Sequence, residues 1–80
     1  MLSELSESPS VVGAQQVRRA VESAAARKVF FAEDADPRIT QPILCLCEEK
    51  GLQAESVPDM KTLGRACGIA VPAAVAALLR

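Results

Sequence analysis

Eighty residues, half of them apolar, are enough for one compact core and too apolar for a disordered chain, so residues 1–80 read as a single domain. A net charge of −1 and a pI of about 5.3 exclude nucleic-acid binding by bulk positive charge. With no histidine and three cysteines (Cys45, Cys47 and Cys67) at no ligand-like spacing, a disulfide framework and a zinc site are excluded too.

Met1 to Ser8 read as one or two helical turns ended by Pro9, and Ser10 to Val12 as a short strand. Gly13 opens a helix in which Val17, Ala20, Val21 and Ala24 share one face, leaving Arg18, Arg19 and Glu22 on the others. Lys28 to Ala32 read as a strand whose two faces are both covered, because its apolar residues are consecutive. A loop follows, and Asp36 or Pro37 starts the next helix, with Ile39, Ile43, Leu46 and Cys47 as its apolar stripe and Gly51 as its stop. Pro42 is awkward inside that helix and leaves a start near Thr40 as the alternative. Ala54 to Val57 form a third short strand, and Asp59 caps a helix carrying Met60, Leu63 and Cys67 that Gly68 ends. Ile69 to Pro72 make a loop, and Ala73 to Leu79 a buried strand, although their alanine content alone also suits a helix. Alternating strands and helices imply an α/β fold with helices on both sides of a sheet.

No segment has the apolar core of a leader peptide, and the apolar run at the C-terminus is too short to span a membrane. The expectation is a cytoplasmic protein with no membrane partner. Its three thiols are expected to be buried and reduced, with Cys45 and Cys47 pointing to different sides of their helix. Arg18, Arg19, Arg27 and Lys28 gather along the chain, as do Lys61 and Arg65, while acids collect at Glu33, Asp34, Asp36, Glu48 and Glu49. A nearly neutral protein can therefore still present a basic face.

Two blocks carry the functional information: Gly13-Ala14-Gln15-Gln16-Val17-Arg18-Arg19, and Leu63 to Pro72. Each sets glycine beside polar or basic residues near a helix terminus, where backbone approaches a ligand closely and N–H groups face an anion. The amides of Gln15 and Gln16 suit base edges, and Arg19 lies one turn further on the same side. On the residues alone, an ordinary solvated helix start remains open. The block lacks the spaced glycines of a dinucleotide loop and the lysine of a phosphate-binding NTPase loop. The apolar loop at Ile69 to Pro72 either links a helix to a buried strand or packs on an unstacked base or a protein. Asp34 and Asp36 read as loop-capping acids rather than an acid–base pair, because no nucleophile or histidine accompanies them. No enzyme, cofactor or metal is expected.

Four blocks in this order and spacing resemble the ribosomal L7Ae superfamily, in particular its short bacterial members: Gly13 to Arg19, Ala32 to Pro37, Leu44 to Lys50 and Leu63 to Gly68. The resemblance runs from about Val11 to Leu79. It implies a three-layer α/β/α sandwich with a mixed four-stranded sheet. It also implies binding to kink-turn RNA, a bent helix–loop–helix with tandem sheared G·A pairs, in ribosomal or riboswitch-like RNA and possibly on the ribosome; DNA is not implied. The family's Gly-x-Asn-Glu-x-x-Lys helix start corresponds to Gly13, Gln15, Gln16 and Arg19, which would bind the guanines. Ile69, Ala70, Val71 and Pro72 would cover unpaired nucleotides, and Asp36, with Ile39 as its apolar neighbour, would meet an extruded base. Here Gln15 stands for asparagine, Gln16 for glutamate, Arg19 for lysine, and Val71 where some relatives carry arginine. A protein-interaction module that kept the fold and lost RNA is the alternative function.

Overall fold

The computed structural model describes residues 9–80, so the helical turn expected within residues 1–8 lies outside it. In chain order the elements are β1 (Ser10–Val12), α1 (Ala14–Glu22), β2 (Ala26–Ala32), α2 (Pro37–Lys50), β3 (Ala54–Val57), α3 (Met60–Ala66) and β4 (Val75–Leu79). The sheet order is β1-β4-β2-β3; β4 runs antiparallel to both neighbours, and β2 runs parallel to β3. That parallel pair requires a crossover, which α2 supplies.

Alternation along the strands sorts the core into two layers. Val29 and Phe31 of β2, with Val75 and Ala77 of β4, face α1 and α2 through Val17, Val21, Ile43 and Cys47. Phe30 and Ala32, with Ala76 and Leu78, face α3 through Leu63. The α/β/α sandwich follows from this two-sided burial. A register shift between Ala26 and Lys28 puts Ala26 on the same face as Val29, as an extra residue in a strand does. The alanine-rich last segment is a strand because its backbone groups are claimed by ladders on both sides, which outweighs helix propensity. It begins at Val75, two residues later than the sequence suggests, after Ala73 has donated its N–H to the Met60 carbonyl.

Three local expectations are corrected. First, α2 starts at Pro37 with Asp36 as its N-cap, so Pro42 is interior, and the start near Thr40 does not occur. Proline there removes the donor that would reach the Arg38 carbonyl, but both residues are exposed and water can take the bond. Second, the buried stripe of α2 is Thr40, Ile43 and Cys47; Ile39 is 41% exposed while Thr40 is 6% exposed. Third, only Cys47 of the three thiols is buried; Cys67 is half-buried and Cys45 exposed. The two residues of the C-x-C pair do point to different sides.

Candidate nucleic-acid interface

The carboxyl ends of β1, β2 and β3 and the start of β4 lie at one end of the sheet, the end at which ligands enter open α/β sheets. Backbone bonds tie the connecting segments together there. Gly13 N–H donates to the Val75 carbonyl at 3.1 Å, Ala32 N–H to Ala74 at 2.9 Å, and Glu33 N–H to Val57 at 2.8 Å. Asp34 Oδ1 accepts from Met60 N–H at 2.9 Å, so the loop after β2 braces the start of α3. Asp34 and Asp36 are thus capping acids, as their loop position suggests.

Gly13 sits at φ 103°, ψ 148°, a conformation that L side chains avoid. This lets the chain leave β1 and enter α1 directly. Among the described residues no side chain caps α1 and no acid occupies its first turn, where the N–H groups of Ala14, Gln15 and Gln16 have no intrahelical acceptor. Gln15, Gln16, Arg18 and Arg19 are all exposed, and Val17, Ala20 and Val21 are buried below them. Arg18 leans on Glu22, Nε to Oε2 at 3.6 Å; Arg19 has no carboxylate partner among the described residues.

Beside this helix start a groove of about 230 Å³ runs between α1 and α2, lined by Ala14, Gln15, Arg18, Arg38, Ile39, Pro42 and Ile43. The exposure of Ile39, which removes it from the core, gives the groove an apolar wall. Asp36 is not free at its rim. Its carboxylate accepts from Arg38 N–H at 2.9 Å and takes the Arg38 guanidinium as a fork, Nε at 3.1 Å and Nη2 at 2.8 Å from Oδ2. These bonds hold the carboxyl below its ordinary pKa, the guanidinium contributing most, and they raise the arginine in turn. The group offered outward is therefore the Arg38 guanidinium, whose side chain is 90% exposed. Sequence reasoning missed Arg38; an arginine two residues after an N-cap aspartate was the signal.

On the other face of the sheet, Ile69, Ala70, Val71 and Pro72 are exposed and fold back on α3, bounding a second groove of about 250 Å³ with Lys61 and Arg65. Val71, at 63% exposure, is the most open large apolar side chain described. The glycines of this block serve packing. A Cβ at Gly64 would run into the Val71 carbonyl oxygen and lie 3.3 Å from Pro72 Cα, so glycine is what lets the loop lie on the helix. Gly68, at φ 75°, makes the turn between them. Of the four cations that gather early in the sequence, Lys28 points elsewhere: its ammonium meets Glu55 Oε1 at 2.8 Å, over the Phe30 ring at 5.0 Å.

The fold recurs in known proteins. The model of the ribosomal protein L7Ae/L30e/S12e/Gadd45 family matches residues 5–80. The chain belongs to this family. Among its relatives, an RNA-binding protein of Caldanaerobacter subterraneus subsp. tengcongensis is 45% identical over 67 residues, covering 84% of this chain and 82% of the relative. The RNA-binding protein YbxF of Geobacillus stearothermophilus is 40% identical over 70 residues, covering 88% and 85%. The solved structure of a 15.5-kD RNA-binding protein of Giardia lamblia superposes with a TM-score of 0.88 at 32% identity, covering 99% of this chain and 68% of that one.

Proposed function

We propose that this chain is a non-enzymatic RNA-binding protein that recognises kink-turn RNA, in ribosomal or riboswitch-like RNA. One observation carries the reading. A glycine-opened helix start, with no capping side chain among the described residues, presents Gln15, Gln16 and Arg19 at the same end of the sheet from which the loop Ile69–Pro72 enters β4. The names of the relatives support RNA as the ligand.

The amide oxygen of Gln16 accepts from guanine N–H groups, and Arg19 donates to guanine O6 or N7. Gln15 adds a second amide beside the uncapped backbone N–H groups. Ile69, Ala70, Val71 and Pro72 shield unpaired nucleotides from water. The α1–α2 groove receives an extruded base against Ile39, with Arg38, held by Asp36, offering a flat cationic face for stacking. A protein that binds only the bent RNA shifts the bent–extended equilibrium by its differential affinity. With a net charge of −1, few phosphates are neutralised, and the salt dependence corresponds to about two to four ionic contacts.

The test is titration into a kink-turn duplex and into the same duplex with its G·A pairs replaced by Watson–Crick pairs. Tighter binding to the first is expected; equal affinities sink the reading and favour a protein partner. Gln16→Ala should weaken binding with an unchanged melting temperature, since Gln16 is exposed and packs in neither core layer.

A further inference from the structure

Three hydrogen bonds close a ring at the end of the sheet where α1 begins. Ala32 N–H donates to the Ala74 carbonyl at 2.9 Å, and the neighbouring Ala73 donates its N–H to the Met60 carbonyl at 3.0 Å. Met60 N–H then donates to Asp34 Oδ1 at 2.9 Å. A further bond, from Ala35 N–H to the Ala32 carbonyl at 3.2 Å, tightens the arc that carries Asp34. The ring joins the loop after β2, the first residue of α3 and the stretch that leads into β4. Two of its three bonds run from backbone to backbone and do not depend on which side chains are present. The bond to Asp34 is the one that a side chain makes.

The ring lies between the two segments that meet RNA in the reading above. Val75, next to Ala74, takes the Gly13 N–H at 3.1 Å and so holds the start of α1. Ile69 to Pro72 run directly into Ala73 and lie on α3 where Gly64 admits them. Burial of Leu63 holds α3 against the sheet, but apolar burial is non-directional and does not set where the helix begins. Asp59 takes Thr62 N–H at 2.7 Å, yet it is the helix's own N-cap and moves with it. Asp34 is 26 residues away in the chain and ties the helix start to β2. We propose that Asp34 is a positioning residue for RNA recognition: through Met60 it fixes the spacing between the start of α1 and the loop Ile69–Pro72, so that one bent RNA meets both. This role rests on the RNA reading above, and Asp34 performs it without touching the ligand.

Asp34→Ala and Asp34→Asn separate positioning from stability. Alanine removes the acceptor, whereas asparagine keeps a side-chain oxygen that accepts from Met60 N–H. Both variants lose the same charge, so comparing them isolates the hydrogen bond. Asp34 is exposed, and both chains are assayed well below their melting temperatures. Affinity is measured for a kink-turn duplex and for its Watson–Crick-substituted control. A straight duplex does not span both segments, so their spacing does not enter its binding. Asp34→Ala should lower the ratio of the two affinities about two- to tenfold, the equilibrium worth of one hydrogen bond. Asp34→Asn should keep the wild-type ratio. A purely structural role would lower the melting temperature of the alanine variant and leave its ratio unchanged. An unchanged ratio in Asp34→Ala, or a ratio in Asp34→Asn as low as in Asp34→Ala, overturns the positioning role and leaves the RNA reading standing. A wild-type chain that does not prefer the G·A duplex overturns the RNA reading itself, and the role of Asp34 with it.

Discussion

The α1–α2 groove is bordered by arginines that already hold carboxylates, Arg18 with Glu22 and Arg38 with Asp36. The groove beside α3 is bordered by Lys61 and Arg65, which hold none among the described residues. The first is organised before any ligand arrives: its charges are largely compensated, and its donors are oriented by a glycine at positive φ, an uncapped helix start and an aspartate clasp. Such a surface discriminates by geometry and gains little from bulk charge. The second offers two cations outside any ion pair among the described residues, on flexible stems beside an apolar loop.

The largest effect that separates the two regions should come from Gly64→Ala. The added Cβ meets the Val71 carbonyl, and backbone on both sides leaves little room to yield. Overpacking of this kind costs about 1–3 kcal/mol. The loop Ile69–Pro72 should lift from α3, lowering the melting temperature and removing the second groove, while amide exchange in α1 stays as in wild type. Equal loss of protection in α1 would show that the grooves are one cooperative unit.

Much of this layout is legible in the chain, for local reasons. Gly13, Gly51 and Gly68 adopt positive φ at the helix boundaries where the sequence puts them, and Asp36 and Asp59 cap the helices that follow them. The strand Val75–Leu79 is legible from Pro72 and its brevity, against its alanine content. The phase of α2 is not: Ile39 and Thr40 fit almost the same helical period, and only the packed sheet chooses Thr40 for the interior. The purpose of Gly64 is equally hidden, because its reason lies in backbone several residues away that returns on the helix. Arg38 is harder to read, because the sequence marks Asp36 as a cap without showing that an exposed side chain two residues on forks onto the same carboxylate.

A smaller effect should distinguish the two caps by pH. Asp36 is held below its ordinary value of 3.8 by the Arg38 side chain first and the Arg38 N–H second. Asp59 is held below the same value by its bonds to Thr62. A depressed folded-state pKa means that each contribution to stability is fully present above about 3.8 and is lost as pH falls through the lower folded value. Asp36→Asn and Asp59→Asn should each shrink the melting-temperature difference between about pH 7 and about pH 3. Asp59→Asn should do so with little loss at neutral pH, since asparagine also caps helices. If the difference stays at its wild-type size in both variants, the caps are not what acid removes.

The smallest effect concerns whether the Asp36–Arg38 clasp presents Arg38 or merely neutralises Asp36. Arg38→Ala removes the guanidinium and also bares a carboxylate at the edge of the proposed RNA site, so its weakening of binding mixes two losses. Arg38→Lys keeps the charge but not the flat fork that takes Asp36 through two nitrogens. If stacking on the guanidinium matters, Arg38→Lys should weaken binding a few-fold, and Asp36→Asn/Arg38→Ala should bind no better than Arg38→Lys. If only neutralisation matters, Arg38→Lys should bind as wild type, and the double variant should recover most of what Arg38→Ala loses. The coupling between the two sites, read from RNA affinities of the wild type, the two single variants and the double variant, then measures how much of this groove's order depends on the pair. A coupling near zero would leave the α1–α2 groove no better organised than the one beside α3.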